Sequence, residues 1–119
     1  MNREKLAWAA GFFDGEGSFA AHPNARKKPG QKLCPRIDIG QIDRPILERF
    51  QRAVGFGLIR GPYQKYSTPN QKPLWRLGVY RFEEVQAIGA MLWSFLSQPK
   101  RHQFAEVMGR YRKSRLEVA

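Results

Sequence analysis

The sequence predicts an α+β fold in which one four-stranded antiparallel sheet carries helices on one of its faces. Three observations support this class. The 119 residues suit a single domain spanning 1–119, because one hydrophobic core normally serves about 100 to 200 residues. Hydrophobic residues make up 42% of the chain, which is enough to fill such a core. Apolar spacing changes along the chain in the order helix, strand, strand, helix, strand, strand, helix, helix.

The first half of the chain predicts one helix followed by two strands. Residues 3–13 are dense in small and aromatic side chains, and Gly15 and Gly17 are expected to end that helix. A short strand is predicted over 18–22 and a longer one over 32–41, where apolar and charged side chains alternate. This alternation indicates that the second strand buries only one of its faces.

The second half repeats the pattern. Asp43 is a plausible N-cap for a helix that Gly55 ends. A hairpin with strands over 58–63 and 73–80 is predicted next, followed by two helices with a break near Pro99. The complete order is αββαββα(α), in which the two hairpins can join into one sheet.

The charge of the chain indicates a polyanionic partner. Lysine and arginine number 21 against 10 aspartate and glutamate, for a formal net charge of +11 and a pI near 10.4. With helices on one sheet face, the basic side chains of the other face can enter the major groove of double-stranded DNA. The side chains predicted to contact DNA are Ser18, His22, Lys32, Arg36, Asp38, Arg60 and Arg76.

The composition excludes several kinds of protein and site. No stretch approaches the roughly 18 apolar residues of a membrane span, and the N-terminus has no signal cleavage site, so neither a membrane partner nor secretion is expected. A single cysteine, Cys34, excludes an internal disulfide, and with only two histidines there is no Cys/His set for zinc. No small-molecule substrate is expected.

Small residues on the first predicted helix form a candidate pairing surface. Ala7, Ala10 and Gly11 stand at i, i+3 and i+4, so one side of the helix carries almost no side-chain bulk and another helix can approach it closely. Because the chain has one such motif, the expected partner is the same helix of a second copy, related by two-fold symmetry. The predicted homodimer interface consists of Ala7, Ala10, Gly11 and Asp14.

The same segment carries a family signature. Residues 9–17, with the sequence AAGFFDGEG, resemble the motif of the LAGLIDADG homing endonucleases. The departures are Ala9 in place of leucine, Gly15 in place of alanine and Glu16 in place of the second aspartate. Weaker similarity extends over 37–47 and 95–103. The resemblance implies the αββαββα(α) fold and the single-motif, homodimeric type of the family.

The resemblance also implies an activity and its residues. It implies a site-specific double-strand DNA endonuclease of intron homing, which hydrolyses phosphodiester bonds at a long, near-palindromic target. The implied catalytic residues are Glu16, Gln41 and Lys100, with Arg101 as the alternative to Lys100. The implied metal is Mg²⁺, or Mn²⁺ in its place, held by Glu16 and the carbonyl of Gly15. The expected location is the cytoplasm for a bacterial or phage protein, or the matrix of an organelle that encodes it.

Two other functions are compatible with the charge. One is a nucleic-acid-binding protein of the same fold that does not cut, either an intron RNA maturase or a DNA-binding regulator. The other is a basic, ribosome-associated structural protein, which would leave the small-residue helix face unexplained. From spacing alone, Asp14 and Glu16 could simply be a polar turn that ends a helix. The enzyme is favoured because a carboxylate beside phosphate is repelled unless a cation lies between them.

Overall fold

A computed structural model of the chain describes residues 2–23, 33–64 and 72–118. These residues form four α-helices, one 3-10 turn and four strands in the predicted order, which confirms the α+β class. The elements are α1 (Arg3–Glu16), β1 (Gly17–Pro23), β2 (Leu33–Gln41), α2 (Arg44–Val54), β3 (Leu58–Tyr63), β4 (Leu74–Val79), α3 (Phe82–Leu92), the 3-10 turn (Trp93–Phe95) and α4 (Gln98–Val118).

The two hairpins join through β2 and β4 into one sheet. Its strand order is β1-β2-β4-β3, and every neighbouring pair is antiparallel. Ile39 pairs with Gly17 on one side and with Leu77 on the other. The predicted four-stranded antiparallel sheet is therefore confirmed, with β1 and β3 at its edges.

The core lies between the helices and one face of the sheet. Ile37, Ile39 and Leu77 project from the sheet into this core and are buried. Phe13 of α1 and Phe50 of α2 meet them there, with ring centroids 6.1 Å apart. The helices thus cover the apolar face of the sheet, as the alternation in β2 predicts. No helix in the described part of the chain is long and apolar enough to cross a membrane.

The end of α1 differs from the prediction. The helix begins after Asn2, whose side chain accepts a hydrogen bond from a backbone N–H of the first turn, and it continues past Gly15 to Glu16. Only Gly17 ends it, and its N–H donates to the carbonyl of Phe13. A Cβ at Gly17 would lie 2.2 Å from the ring of Phe13, so this position requires glycine. The acidic segment is therefore the last turn of a helix and not a separate turn.

Candidate nucleic-acid interface and catalytic site

The sheet face opposite the helices is polar. Along β2, Ile37 and Ile39 are buried, whereas Arg36 and Asp38 project to the other side and are partly exposed. Strand pairing extends this pattern across the sheet, because side chains opposite each other in an antiparallel pair share a face. We refer to this side as the open face.

Two arginines stand directly opposite each other on the open face. Arg60 of β3 pairs with Arg76 of β4, and both are exposed. On its other side Arg76 pairs with Gly40, which has no side chain. Like charges in direct cross-strand pairs are destabilising, and among the described residues neither arginine forms an ion pair. A polyanion on the open face would relieve this repulsion.

A third arginine of the open face is held by an aromatic ring. The guanidinium carbon of Arg36 lies 5.4 Å from the ring centroid of Tyr80. Its Nε is buried without a hydrogen-bond partner in the described part of the molecule. The Tyr80 ring folds back over Gly78, where a Cβ would lie 2.0 Å from the tyrosine hydroxyl. The guanidinium and the Tyr80 ring are therefore within cation–π range of each other.

Two exposed residues of the open face were missed by the sequence analysis. Tyr80 is 43% exposed and Leu58 is 47% exposed. Leu58 pairs with Gly78, in the same cross-strand row as Asp38 and Ser18. Both could have been predicted from the two-residue period of a strand. Leu58 lies two positions before Arg60, and Tyr80 lies four positions after Arg76, so each shares a face with that arginine.

The structure thus brings five of the seven residues predicted to contact DNA to the open face of the sheet. For Ser18, the hydroxyl donates to the adjacent Phe19 carbonyl at 3.4 Å. Lys32 lies outside the described residues, as does the side chain of His22. The residues placed on the open face are Ser18, Arg36, Asp38, Arg60 and Arg76.

An acidic group ends α1 at one edge of the sheet. Glu16 is the last residue of the helix and is exposed, and within the described ranges its carboxylate takes part in no hydrogen bond or ion pair. The final carbonyls of a helix, here including that of Gly15, lack helical donors, and the helix dipole is negative at this end. Carboxylate and carbonyl oxygens are the ligands that Mg²⁺ prefers, so this donor set fits the ion.

Protein-bound Mg²⁺ usually takes one or two carboxylates and completes its shell with water and substrate phosphate. In the described ranges, no group of three or more His, Cys, Asp or Glu side chains could hold an ion. Glu16 is the one predicted side-chain ligand among these residues.

A lysine lies next to this acidic end. Lys100 is in the first turn of α4, and its ammonium group donates a hydrogen bond to the carbonyl of Gly17. The Lys100 nitrogen is also 5.6 Å from the ring centroid of Phe13. Arg101, the alternative, points elsewhere, because its guanidinium donates to the carbonyl of Trp93 at 2.8 Å. Of the two cations, Lys100 is the one beside the last turn of α1.

The third predicted catalytic residue ends β2. Gln41 comes two residues after Ile39, whose partner is Gly17, so it lies at the end of β2 that is next to the start of β1, where α1 ends. Its side-chain oxygen accepts the N–H of Ile42 at 3.1 Å. Glu16, Gln41 and Lys100 therefore come from three different elements, and Lys100 is the one with a contact directly beside Glu16.

The predicted pairing face of α1 needs a correction. Ala10 is 0% exposed and packs in the core of its own chain, so it does not lie on the outer side of the helix. Ala7 and Gly11 are exposed, and so is Gly15. A Cβ at Gly11 or Gly15 would meet nothing within 4 Å. The exposed small-residue strip consists of Ala7, Gly11 and Gly15, at i, i+4 and i+8, because the helix turns its i+3 position towards the sheet.

Asp14, the remaining residue of the predicted interface, makes contacts within its own chain. Its carboxylate accepts the backbone N–H of Ser97, at 3.1 Å from each oxygen, and the hydroxyl of Ser97 at 2.9 Å. Asp14 is half-buried and thus bridges α1 to the start of α4.

Comparisons of sequence give no relative for this chain: no protein-family model matches it, and no curated protein matches it significantly. Comparison with solved structures identifies the fold. The homing endonuclease I-CvuI, in complex with an I-CreI target that is not cleaved in the presence of magnesium, matches with a TM-score of 0.72 and 22% identity, over 98% of this chain and 76% of that chain. The LAGLIDADG meganuclease I-CpaMI bound to uncleaved DNA matches with a TM-score of 0.70 and 20% identity, over 100% of this chain and 40% of that chain.

An archaeal intron-encoded homing endonuclease complexed with DNA gives a further match, with a TM-score of 0.65 and 22% identity over 98% of this chain and 85% of that chain. The chain therefore has the LAGLIDADG homing endonuclease fold. The resemblance seen in residues 9–17 is confirmed at the level of the fold.

Proposed function

We propose that this protein is a site-specific double-strand DNA endonuclease of the homing type. The observation that carries the proposal is the arrangement of Glu16 and Lys100 at one edge of a sheet whose open face presents unpaired arginines. The three similar proteins described above are homing endonucleases or meganucleases bound to DNA, which supports DNA as the polyanion. The open face binds the major groove, and the edge with Glu16 meets the scissile phosphate.

In the proposed reaction, water adds to phosphorus, the ester bond to the leaving sugar oxygen breaks, and that oxygen takes up a proton. Glu16 and the Gly15 carbonyl would hold Mg²⁺, or Mn²⁺ in its place. The chemistry a bound divalent ion supplies in such a site is Lewis-acid polarisation of phosphate oxygens and a more acidic water. Gln41 orients water at the end of β2, and the ammonium group of Lys100 offsets the negative charge that develops on the phosphate.

The enzyme acts as a homodimer in this proposal. Each chain carries one set of Glu16, Gln41 and Lys100, so cutting both strands requires two copies. Two-fold symmetry between the copies then requires a near-palindromic target. The strip of Ala7, Gly11 and Gly15 is the proposed contact between the two α1 helices.

A second candidate is a binder that does not cut, such as an intron RNA maturase or a DNA-binding regulator. The observation that favours it is the set of cations on the open face. Arg36, Arg60 and Arg76 can bind nucleic acid without the carboxylate of Glu16. The fold is common to both functions.

Cleavage of supercoiled plasmids that carry the joined flanks of the protein's own gene tests the proposal, since a homing enzyme cuts the sequence that its gene interrupts. Linear product that requires Mg²⁺ and disappears with EDTA is expected. A protein that binds these duplexes tightly and yields neither nicked nor linear product with Mg²⁺ or Mn²⁺ would favour the non-cutting binder.

A further inference from the structure

Asp14 and Lys100 are linked through Ser97. Ser97 is 83 residues from Asp14 in the chain, yet the Asp14 carboxylate accepts both its backbone N–H and its hydroxyl. The Ser97 hydroxyl oxygen in turn accepts the N–H of Lys100 at 3.4 Å, in the manner of an N-cap. A carboxylate at the start of a helix is also favoured by the helix dipole.

This link is one of two contacts between the first turn of α4 and the acidic end of α1. One helical turn separates Ser97 from Lys100, and the Lys100 ammonium group returns to the carbonyl of Gly17. The first turn of α4 is therefore joined to the end of α1 at two places: through Ser97 to Asp14, and through Lys100 to Gly17, the residue after Glu16.

We infer that Asp14 and Ser97 are positioning residues that hold Lys100 beside Glu16, an inference that rests on the proposed endonuclease activity. Neither residue reaches the reacting atoms in this scheme. Their action is to fix the first turn of α4, and with it the direction of the Lys100 side chain. Asp14 thus has a role within each chain that differs from the dimer contact expected from the sequence.

The remainder of α4 does not depend on this contact. Phe104 is buried against the core, and Gln103 accepts the backbone N–H of Phe19 at 2.9 Å. Further along, the Ser114 hydroxyl accepts a backbone N–H of β2 at 3.2 Å. Loss of the Asp14 carboxylate should therefore release the first turn of α4 while the rest of the helix stays on the sheet.

A double-mutant cycle on Asp14→Ala and Lys100→Met tests the coupling. In single-turnover cleavage, Asp14→Ala is expected to slow cutting about tenfold to a hundredfold, the range that a misplacement of about 1 Å can cost. Binding of the same duplex in Ca²⁺ should stay nearly unchanged. In the Lys100→Met background the effect of Asp14→Ala should shrink to within about twofold, because the residue acts through Lys100. An equal loss in both backgrounds would overturn the inference.

A chemical measurement tests the same link without DNA. Acetylation of Lys100, measured by mass spectrometry against the exposed Lys113 as internal standard, is expected to speed up in Asp14→Ala and in Ser97→Ala. Ser97→Thr, which keeps the hydroxyl, should restore the slow rate, and Glu83→Ala, which removes an exposed carboxylate on α3, should leave it unchanged. Equal Lys100 reactivity in wild type and Ser97→Ala would refute the link even if Asp14→Ala fails to fold. If wild type cuts no duplex, the proposed activity fails, and this measurement still decides the link.

Discussion

Glu16 illustrates how a residue's surroundings give it a chemical role. A carboxylate that ends a helix faces the negative end of the helix dipole, which disfavours it unless a cation is near. Here the ammonium group of Lys100 is bound to the next carbonyl, that of Gly17. This neighbour supports the proposal that Glu16 acts at a site for a metal ion and a phosphate, where charges of both signs are needed.

Replacement of Glu16 by glutamine tests the proposed metal ligand. Glu16→Gln keeps the shape of the side chain and removes its charge, so cleavage with Mg²⁺ should fall by at least about a hundredfold. Affinity for the duplex should stay or rise, because a negative charge facing phosphate is removed. Strand cleavage with Mg²⁺ and duplex binding with Ca²⁺ are measured side by side, with Glu83→Gln as the control. Near wild-type cutting by Glu16→Gln would show that the acid only ends the helix.

Arg36 is expected to read bases. Arginine makes bidentate hydrogen bonds to guanine in the major groove, and Arg36 lies on the open face within 5.4 Å of the Tyr80 ring centroid. Arg36→Ala should therefore cost about 1 to 3 kcal/mol at a few positions of the target and little elsewhere. Binding to a panel of single-base variants of the site measures this. A uniform loss over the whole panel would assign Arg36 to the phosphate backbone instead.

Individual site residues were predictable from sequence to different degrees. Arg36, Arg60 and Arg76 follow from the period of two, which fixes the face of a strand from local sequence. The link between Asp14 and Ser97 could not be predicted, because tertiary packing alone brings together residues so distant in the chain. The roles of Gln41 and Lys100 rest on the family resemblance; in the structure Lys100 contacts the residue after Glu16, and Gln41 ends the strand paired with β1.

Among the secondary-structure elements, α1 departs from its prediction at its C-terminal end. Glycine weakens a helix by only about 1 kcal/mol relative to alanine, so Gly15 did not stop it. The helix ends at Gly17, the second of the two glycines expected to end it, and the ring of Phe13 leaves no room for a Cβ there. The same packing determined which side of α1 faces outward and buried Ala10. Helical spacing alone did not decide whether Ala10 or its neighbour Gly11 faces away from the core.

Disruption of the proposed helix pair tests the dimer. Gly11→Leu places a large side chain on the exposed strip of α1, where no atom of its own chain lies within 4 Å, so each chain should fold normally. The helices of two copies should be forced apart, and sedimentation should show a monomer. Gly109→Leu is the matched control, because Gly109 is equally exposed on α4 and meets nothing within 4 Å. An unchanged dimer in Gly11→Leu would remove this strip from the interface.

For the molecule as a whole, periodicity was sufficient to predict the class and the order of elements. Helix, strand and hairpin patterns are local, and both halves of the chain show them. The pairing of β2 with β4 was not specified by these patterns, because hairpins can join through either of their edges. The structure resolves this: residues 37–41 of β2 pair with residues 75–79 of β4, which makes β2 a central strand. The helices then occupy one face, and the cations of the strands are left on the other.

The charge distribution predicts how binding responds to salt. A net charge of +11 on a chain with unpaired arginines on its open face implies that binding releases many counterions. With six to ten phosphate contacts, affinity should fall by about 10³ to 10⁵ between 50 and 200 mM salt.

Two double variants test which cations are responsible. Removing two cations from the open face, in Arg60→Gln with Arg76→Gln, should make the slope of log affinity against log salt concentration shallower by about one unit for each lost contact. Arg52→Gln with Arg112→Gln removes the same charge from exposed positions on α2 and α4, on the helix side, and should leave the slope nearly unchanged. Fluorescence anisotropy of one labelled duplex over a salt series measures all three proteins. Equal slopes for the two double variants would mean that net charge, and not the open face of the sheet, binds the DNA.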